Sequence, residues 1–211
     1  MKKILNIFAN TVVAGISERL EGDMRIAKGA DLELTQTNRK RFFEKSELLG
    51  FETAAALLEH GEKALFVHNP GIYEADGLVT DNPKLLLTVT VADCMPIFLL
   101  DSRQSVIALA HAGRLGLQKG IIQETLRLMF SRSGSRPENI ICYFGPFICE
   151  SHHPTNLKEE ATKQLQSQGV ASEQIFDANL CTYELPEDFF SYRRDRPKVP
   201  ETQVAFMGLL Q

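Results

Sequence analysis

The strongest constraint on this chain is a series of short aliphatic and β-branched runs, each closed by polar or turn-forming residues. Ala64–Val67, Leu85–Val91, Ile97–Leu100, Val106–Ala110 and Ile140–Phe144 have the length and composition of β-strands, and the last is ended by Gly145-Pro146. Thr202–Phe206 reads as a final strand and Ile4–Phe8 as a first one. Helical spacing interrupts the series. Leu115, Ile122, Leu126 and Met129 recur at intervals that define one helix with one buried face, and Leu157–Gln168 reads as a polar amphipathic helix. Thr35–Leu49 starts with a threonine that can cap and continues in good helix formers, and Phe51–Leu58 reads as a second short helix. Gly22–Leu34 reads as a loop. Strands and helices mixed in this order, with a hairpin between Ile97–Leu100 and Val106–Ala110, predict an α+β or mixed α/β fold, not a doubly wound parallel sheet.

Composition narrows the function classes. The chain has 211 residues with 44% hydrophobic content and a net charge of −4, enough to bury a substantial core. No basic patch or basic-aromatic strip stands out, so a nucleic-acid partner is not expected. No run approaches the ~20 apolar residues that span a bilayer. Asn6 and Asn10 interrupt the apolar stretch after Lys2-Lys3, which argues for a strand over a signal peptide. A cytoplasmic, monomeric protein with one domain over residues 1–211 is the expectation. In that compartment Cys94, Cys142, Cys149 and Cys181 are thiols or ligands and not disulfides.

Cys94 and His111 are the residues most suggestive of chemistry. If Ser102-Arg103 forms a two-residue turn, Cys94 lies directly across the hairpin from His111, with Cβ atoms roughly 5 Å apart on one face. Such a pair can share a metal, form a thiol–imidazole contact, or simply be a buried cysteine beside a satisfied core histidine. His111 stands at a strand end before Ala112-Gly113 and a helix, where an anion such as phosphate could meet helix N–H groups and Arg114. Asp93 could orient an imidazole or act as a base. Cys149-Glu-Ser-His152-His153 also has metal-ligand spacing but no matching second pair in the sequence.

Thr90-Val-Ala-Asp-Cys-Met-Pro96 followed by Ala110-His-Ala-Gly113 resembles the laccase-domain family, also called the polyphenol-oxidase or purine nucleoside phosphorylase family of that fold, whose pattern is T-x-A-D-C-(L/M)-P and then H-A-G-W-R-G. Gly15-Ile-Ser, Asn38-Arg39, His60-Gly61, Ala75-Asp-Gly-Leu-Val-Thr80, Gly145-Pro146 and Phe189-Phe-Ser-Tyr-Arg-Arg194 match further family motifs in order. Arg114-Leu115-Gly116 departs from W-R-G, and His153-Pro154-Thr155 stands where the family has Y-E-V.

The resemblance implies a layered α-β-β-α sandwich related to cysteine-hydrolase toxins, and a metal site at His60, Cys94 and His111. It further implies phosphorolysis of purine nucleosides such as adenosine, inosine and guanosine, with phosphate as co-substrate and adenosine deamination as a side activity. Two imidazoles and a thiolate suit Zn²⁺ with one open position. Copper at the same three residues is the alternative metal, although five histidines are too few for a multicopper cluster and a polyphenol oxidase. Asp93 and Cys94 are the candidate catalytic residues, and Asn38, Arg39 and Arg114 the candidate substrate contacts. A metal-free Cys–His hydrolase and a non-catalytic binding domain are the competing readings.

Overall fold

The apolar runs assemble into two packed sheets. A computed structural model of the chain describes residues 2–3, 11–26, 32–46, 48 and 50–210; the strand expected at Ile4–Phe8 lies outside them. In chain order the elements are β1 (Lys2–Lys3), β2 (Val12–Ile16), α1 (Leu32–Lys45), β3 (Glu52–Leu57), β4 (Ala64–Phe66), β5 (Gly71–Glu74), β6 (Gly77–Thr80), β7 (Leu85–Val91), β8 (Met95–Asp101), β9 (Val106–Ala112), α2 (Arg114–Lys119), α3 (Ile121–Ser133), β10 (Ile140–Phe144), α4 (Leu157–Ser167), β11 (Ile175–Asp177), α5 (Tyr192–Asp195) and β12 (Gln203–Leu209). The first sheet runs β1-β2-β12-β7-β3-β5 and the second β11-β10-β8-β9-β6-β4, each with parallel and antiparallel pairs. The fold is mixed α+β.

Burial follows the two-residue period of a strand. In β8 and β9, Phe98, Leu100, Ile107 and Leu109 face the first sheet, joining Leu85, Leu87, Val89 and Val91 of β7. Ile97, Leu99, Ala108 and Ala110 face the opposite way, against Ile122, Leu126 and Met129 of α3 and Leu165 of α4. The outer face of the first sheet is covered by α1 through Phe42 against Leu86 and Phe206. Every residue of β7, β8, β9 and β12 is buried, which is why apolar residues occupy both faces of these strands. Among the described residues no helix is long and apolar enough to cross a membrane.

Several elements differ from the sequence expectation. Phe51–Leu58 is mostly strand β3, not helix: Ala54 and Ala56 pack between the sheets, and tertiary packing overrides the helix preference of alanine. α1 begins at Leu32, so Thr35 is a buried helical residue and not the cap; with Asn38, Arg39 and Phe42 it forms the helix's buried stripe. The single helix expected from Leu115 to Met129 is two, broken at Gly120, whose φ of 99° no other residue type adopts readily. Leu115 consequently turns outward and is 47% exposed. β2, β5, β6 and β11 escape the sequence patterns.

The hairpin register also differs. Asp101 pairs with Val106, leaving a four-residue loop in which the Asp101 carboxylate accepts from the N–H groups of Arg103 and Gln104. Pro96, not Cys94, therefore lies opposite His111. The slip is two residues, so the face is preserved.

Candidate metal centre

Four segments meet at one end of the gap between the sheets. His60 lies in the loop joining β3 to β4, Asp76 immediately before β6, Cys94 immediately before β8, and His111 near the end of β9. By strand parity Cys94 and His111 point to the same side as Phe98 and Leu109, into the space between the sheets. Cys94 packs against Gly113, where an added methyl group would stand 2.6 Å from Sγ. Glycine is needed there for this close approach and not for backbone freedom, since its φ is −92°.

The buried carboxylate of Asp76 organises the site. Its Oδ1 accepts from His60 N at 2.9 Å and lies 3.1 Å from His111 Nδ1, while Oδ2 accepts from Gly61 N at 2.8 Å and Glu59 N at 3.2 Å. The Asp76 carbonyl accepts from His111 N at 2.7 Å. One residue thus fixes both the His60 loop and the His111 ring. The ring centroids of His60 and His111 are 4.9 Å apart, with the planes at 83°. Nδ1 of His111 is occupied by Asp76, which leaves Nε2 for Cys94 or a cation.

Electrostatics follow from these contacts. Burial alone would lower the His111 pKa, but the negative charge of Cys94 and the hydrogen bond to Asp76 outweigh it and raise the value to about 9. His60 is shifted down, first by burial and then by repulsion from His111. Burial pushes the Asp76 carboxyl up, yet its bonds to His111, Gly61 and Glu59 prevail and hold it below the usual range. His60 and Asp93 have positive φ, 56° and 85°, conformations that side-chain-bearing residues adopt at some energetic cost.

The other residues singled out from sequence sit differently. The Asp93 carboxylate accepts from Thr182 Oγ1 at 2.8 Å and Arg193 N at 2.7 Å, so it ties the C-terminal segment to the base of Cys94 and does not orient an imidazole. Asn38 and Arg39 lie on the buried face of α1, on the outer side of the first sheet. Asn38 Nδ2 donates to Asp23 O, and Arg39 donates to Met24 O and Thr88 Oγ1. Burial lowers the Arg39 guanidinium to about 10. Arg114 is exposed at the start of α2, which at six residues carries little macrodipole towards an anion. Arg194 donates to the carbonyls of Thr182, Tyr183 and Phe189, which ties Phe189–Arg194 down as a packed turn, and Phe190 and Arg194 also line a surface cleft with Arg19 and Arg41. Asp76 escapes the sequence reading as a functional residue, although it stands within the Ala75–Thr80 motif; a lone acid leading into an apolar strand is the available signal.

The donor chemistry of His60, Cys94 and His111 fits zinc: two imidazoles, one thiolate, and a carboxylate behind one imidazole. The set is open. Among the described residues the group whose three ligand atoms all lie within 4.8 Å of one another is instead Cys149, His152 and Glu184. Gathering the first three on one ion calls for turning the exposed His60 side chain.

The family model described as multi-copper polyphenol oxidoreductase laccase matches residues 10–154 and 150–207 of the chain. The chain belongs to this family. Within the laccase family it is 30% identical over 198 residues to a protein of Escherichia coli K12 named purine nucleoside phosphorylase YfiH, covering 80% of this chain and 79% of that one. A Bacillus subtilis relative named purine nucleoside phosphorylase YlmD is 28% identical over 171 residues, which span 67% of this chain and 61% of that protein, under two thirds of its length. The crystal structure of YlmD from Geobacillus stearothermophilus has a TM-score of 0.88 at 25% identity, with coverage of 98% of this chain and 94% of that one. The fold of this chain is therefore shared with that solved structure.

Proposed function

We propose that this laccase-family chain is a zinc-dependent purine nucleoside phosphorylase, with His60, Cys94 and His111 as the zinc ligands and adenosine deamination as a side activity. The observation that carries the reading is the convergence of Cys94, His111 and Asp76 beside His60 at the rim between the sheets. The names of the Escherichia coli and Bacillus subtilis relatives support the substrate class. When bound, zinc supplies Lewis acidity and makes water a competent nucleophile near neutral pH.

The chain's own groups have distinct tasks in this reading. Asp76 selects the His111 tautomer in which Nε2 faces the site and keeps the His60 loop in its left-handed turn. Cys94 and Gly113 close the inner wall. Asp93 is a positioning residue that holds the 182–193 segment next to Cys94. Arg114, exposed at the mouth of the β9–α2 turn, is the candidate phosphate contact. Attack of phosphate on ribose C1′ releases the purine base; attack of water on C6 of adenosine releases ammonia and leaves inosine.

Incubation of zinc-loaded, folded protein with inosine plus phosphate, and separately with adenosine, tests this by chromatography of the products. Hypoxanthine that depends on phosphate supports phosphorolysis, and inosine formed from adenosine supports deamination. Neither product, nor adenine, from well-folded loaded protein would return the chain to a binding role.

A second reading has its own observation. His111, raised to about 9 by Cys94 and bonded to Asp76, completes a nucleophile–base–orienter arrangement of the cysteine-hydrolase kind. Rapid alkylation of Cys94 in metal-free protein, with no zinc retained after purification, would favour it over the zinc centre.

A further inference from the structure

The loop after β10 carries a second group of metal-binding side chains, which the reaction proposed above does not use. From Phe147 to His152 this loop runs beside the segment 180–184: Phe147 N donates to Leu180 O and Thr182 N donates to Phe147 O. The pairing brings Cys149 and His152 against Cys181 and Glu184, in contacts that join residues 32 or 35 positions apart. Cys149 Sγ lies 2.8 Å from Cys181 Sγ and 3.5 Å from Glu184 Oε1. His152 Nε2 lies 3.1 Å from the same Glu184 oxygen. The His152 ring is stacked on Tyr183, with centroids 4.0 Å apart, so its nitrogen is presented and not free to swing.

Lys158, which lines the adjoining cavity of about 280 Å³, is already bonded to Asp177 at 2.7 Å. The two thiols and the carboxylate are joined in a chain, Cys181 Sγ–H donating to Cys149 Sγ and Cys149 Sγ–H to Glu184 Oε1, and a divalent ion bound there would take the place of the two thiol protons. The Cys149 N–H also donates to Cys181 Sγ at 3.1 Å, a further tie between the two segments.

We propose that Cys149, Cys181, His152 and Glu184 form a second zinc site, distinct from the centre at Cys94 and His111, that clamps the loop 147–152 onto the segment 180–184. Cys149, His152 and Glu184 already hold their ligand atoms within 4.8 Å of one another, and swinging the Cys181 sulfur round from Cys149 completes a four-donor set of the closed, structural kind. Ligand bonds of ~2.0–2.3 Å put tetrahedral donors roughly 3.3–3.8 Å apart. The Sγ–Oε1 and Nε2–Oε1 separations of 3.5 and 3.1 Å are already close to that range. The two sulfurs must part by about 1 Å to reach it. A disulfide between Cys149 and Cys181 gives no reason for the Glu184 oxygen that meets Cys149 Sγ to be the one that meets His152 Nε2. The clamp bears on the first site through Asp93, whose carbonyl accepts from Ile148 N at 2.9 Å and whose carboxylate accepts from Thr182 Oγ1. The neighbours of both cysteines thus grip the neighbour of Cys94.

The test counts zinc in the full chain after chelation and reconstitution with Zn²⁺, by elemental analysis and native mass spectrometry. The expected result is a zinc equivalent that survives His60→Ala but is lost from Cys149→Ser. His152→Ala and Glu184→Gln, at partly exposed positions that do not endanger folding, are expected to weaken that equivalent about 10-fold or more. In cobalt-substituted protein the thiolate charge-transfer band of this site persists in His60→Ala and disappears in Cys149→Ser. Zinc binding unchanged in both His152→Ala and Glu184→Gln overturns the proposal. So does recovery of Cys149 and Cys181 as a disulfide from protein reconstituted under reducing conditions. A failed first centre leaves a different trace, with zinc insensitive to His60→Ala and Cys94→Ser.

Discussion

Replacing Asp76 with asparagine probes the central claim about the site. The carboxylate accepts from three backbone N–H groups, those of Glu59, His60 and Gly61, and bonds the Nδ1 of His111, all in a buried setting. Asparagine keeps the shape and one acceptor oxygen but turns an NH₂ towards donors that need an acceptor. Hydrogen bonds to a charged group contribute about 1.5–3 kcal/mol each, and the surviving oxygen retains part of the total, so a net loss of about 3 kcal/mol is expected. The second effect is on the metal. Without its carboxylate partner His111 loses orientation and basicity, and zinc affinity should fall about 10- to 100-fold. Urea denaturation of the metal-free proteins measures the first effect, and competition against a chromophoric chelator measures the second. Zinc affinity within about twofold of the parent, in a variant destabilised as expected, would refute the role of Asp76 behind the ligand.

Gly113→Ala introduces a methyl 2.6 Å from Cys94 Sγ without backbone strain; a loss of about 1–3 kcal/mol by thermal melting and weaker zinc binding are expected, and unchanged binding would show that Cys94 is not held there. The His111 pKa of about 9 lies above its ordinary 6.5, so the stabilisation from its charged form is complete below pH 6.5 and lost as pH rises through about 9. Metal-free protein should therefore show a falling urea midpoint over that window, with the fall flattened in Cys94→Ala. Arg39→Met removes buried bonds to Met24 O and Thr88 Oγ1 and should destabilise the fold by about 2–4 kcal/mol while leaving KM for nucleoside unchanged; a raised KM at unchanged stability would instead put the guanidinium on substrate.

The parts legible in sequence are those decided locally. Leu85–Val91 and Ile140–Phe144 match β7 and β10 residue for residue, because a continuous apolar run bounded by breakers has few other uses. Phe51–Leu58 misleads because alanine is ambiguous: it favours helices alone, yet Ala54 and Ala56 suit the narrow gap between sheets. Cys94 and His111 are legible through their motifs, and the two-residue error in register leaves them on one face. Asp76 is not legible as an organiser, since its partners lie 15 to 35 residues away on other segments. Glu184 and Cys181 are hidden for the same reason: the pair that completes Cys149 and His152 comes from a segment more than 30 residues downstream.

The double attachment of Asp76 has a consequence for how the protein matures. Its carboxylate holds the main chain of the His60 loop and a side chain from β9. Both halves of that grip belong to the second sheet: Asp76 leads into β6, which pairs with β9 on one side and, on the other, with β4, the strand that follows the His60 loop. The grip therefore closes when β4, β6 and β9 pair, and β9 is the last of the three in the chain. No nascent fragment ending before His111 can present the pair of imidazoles, so the order of events during synthesis is fixed: pairing of β9 with β6 first, loading of the centre afterwards.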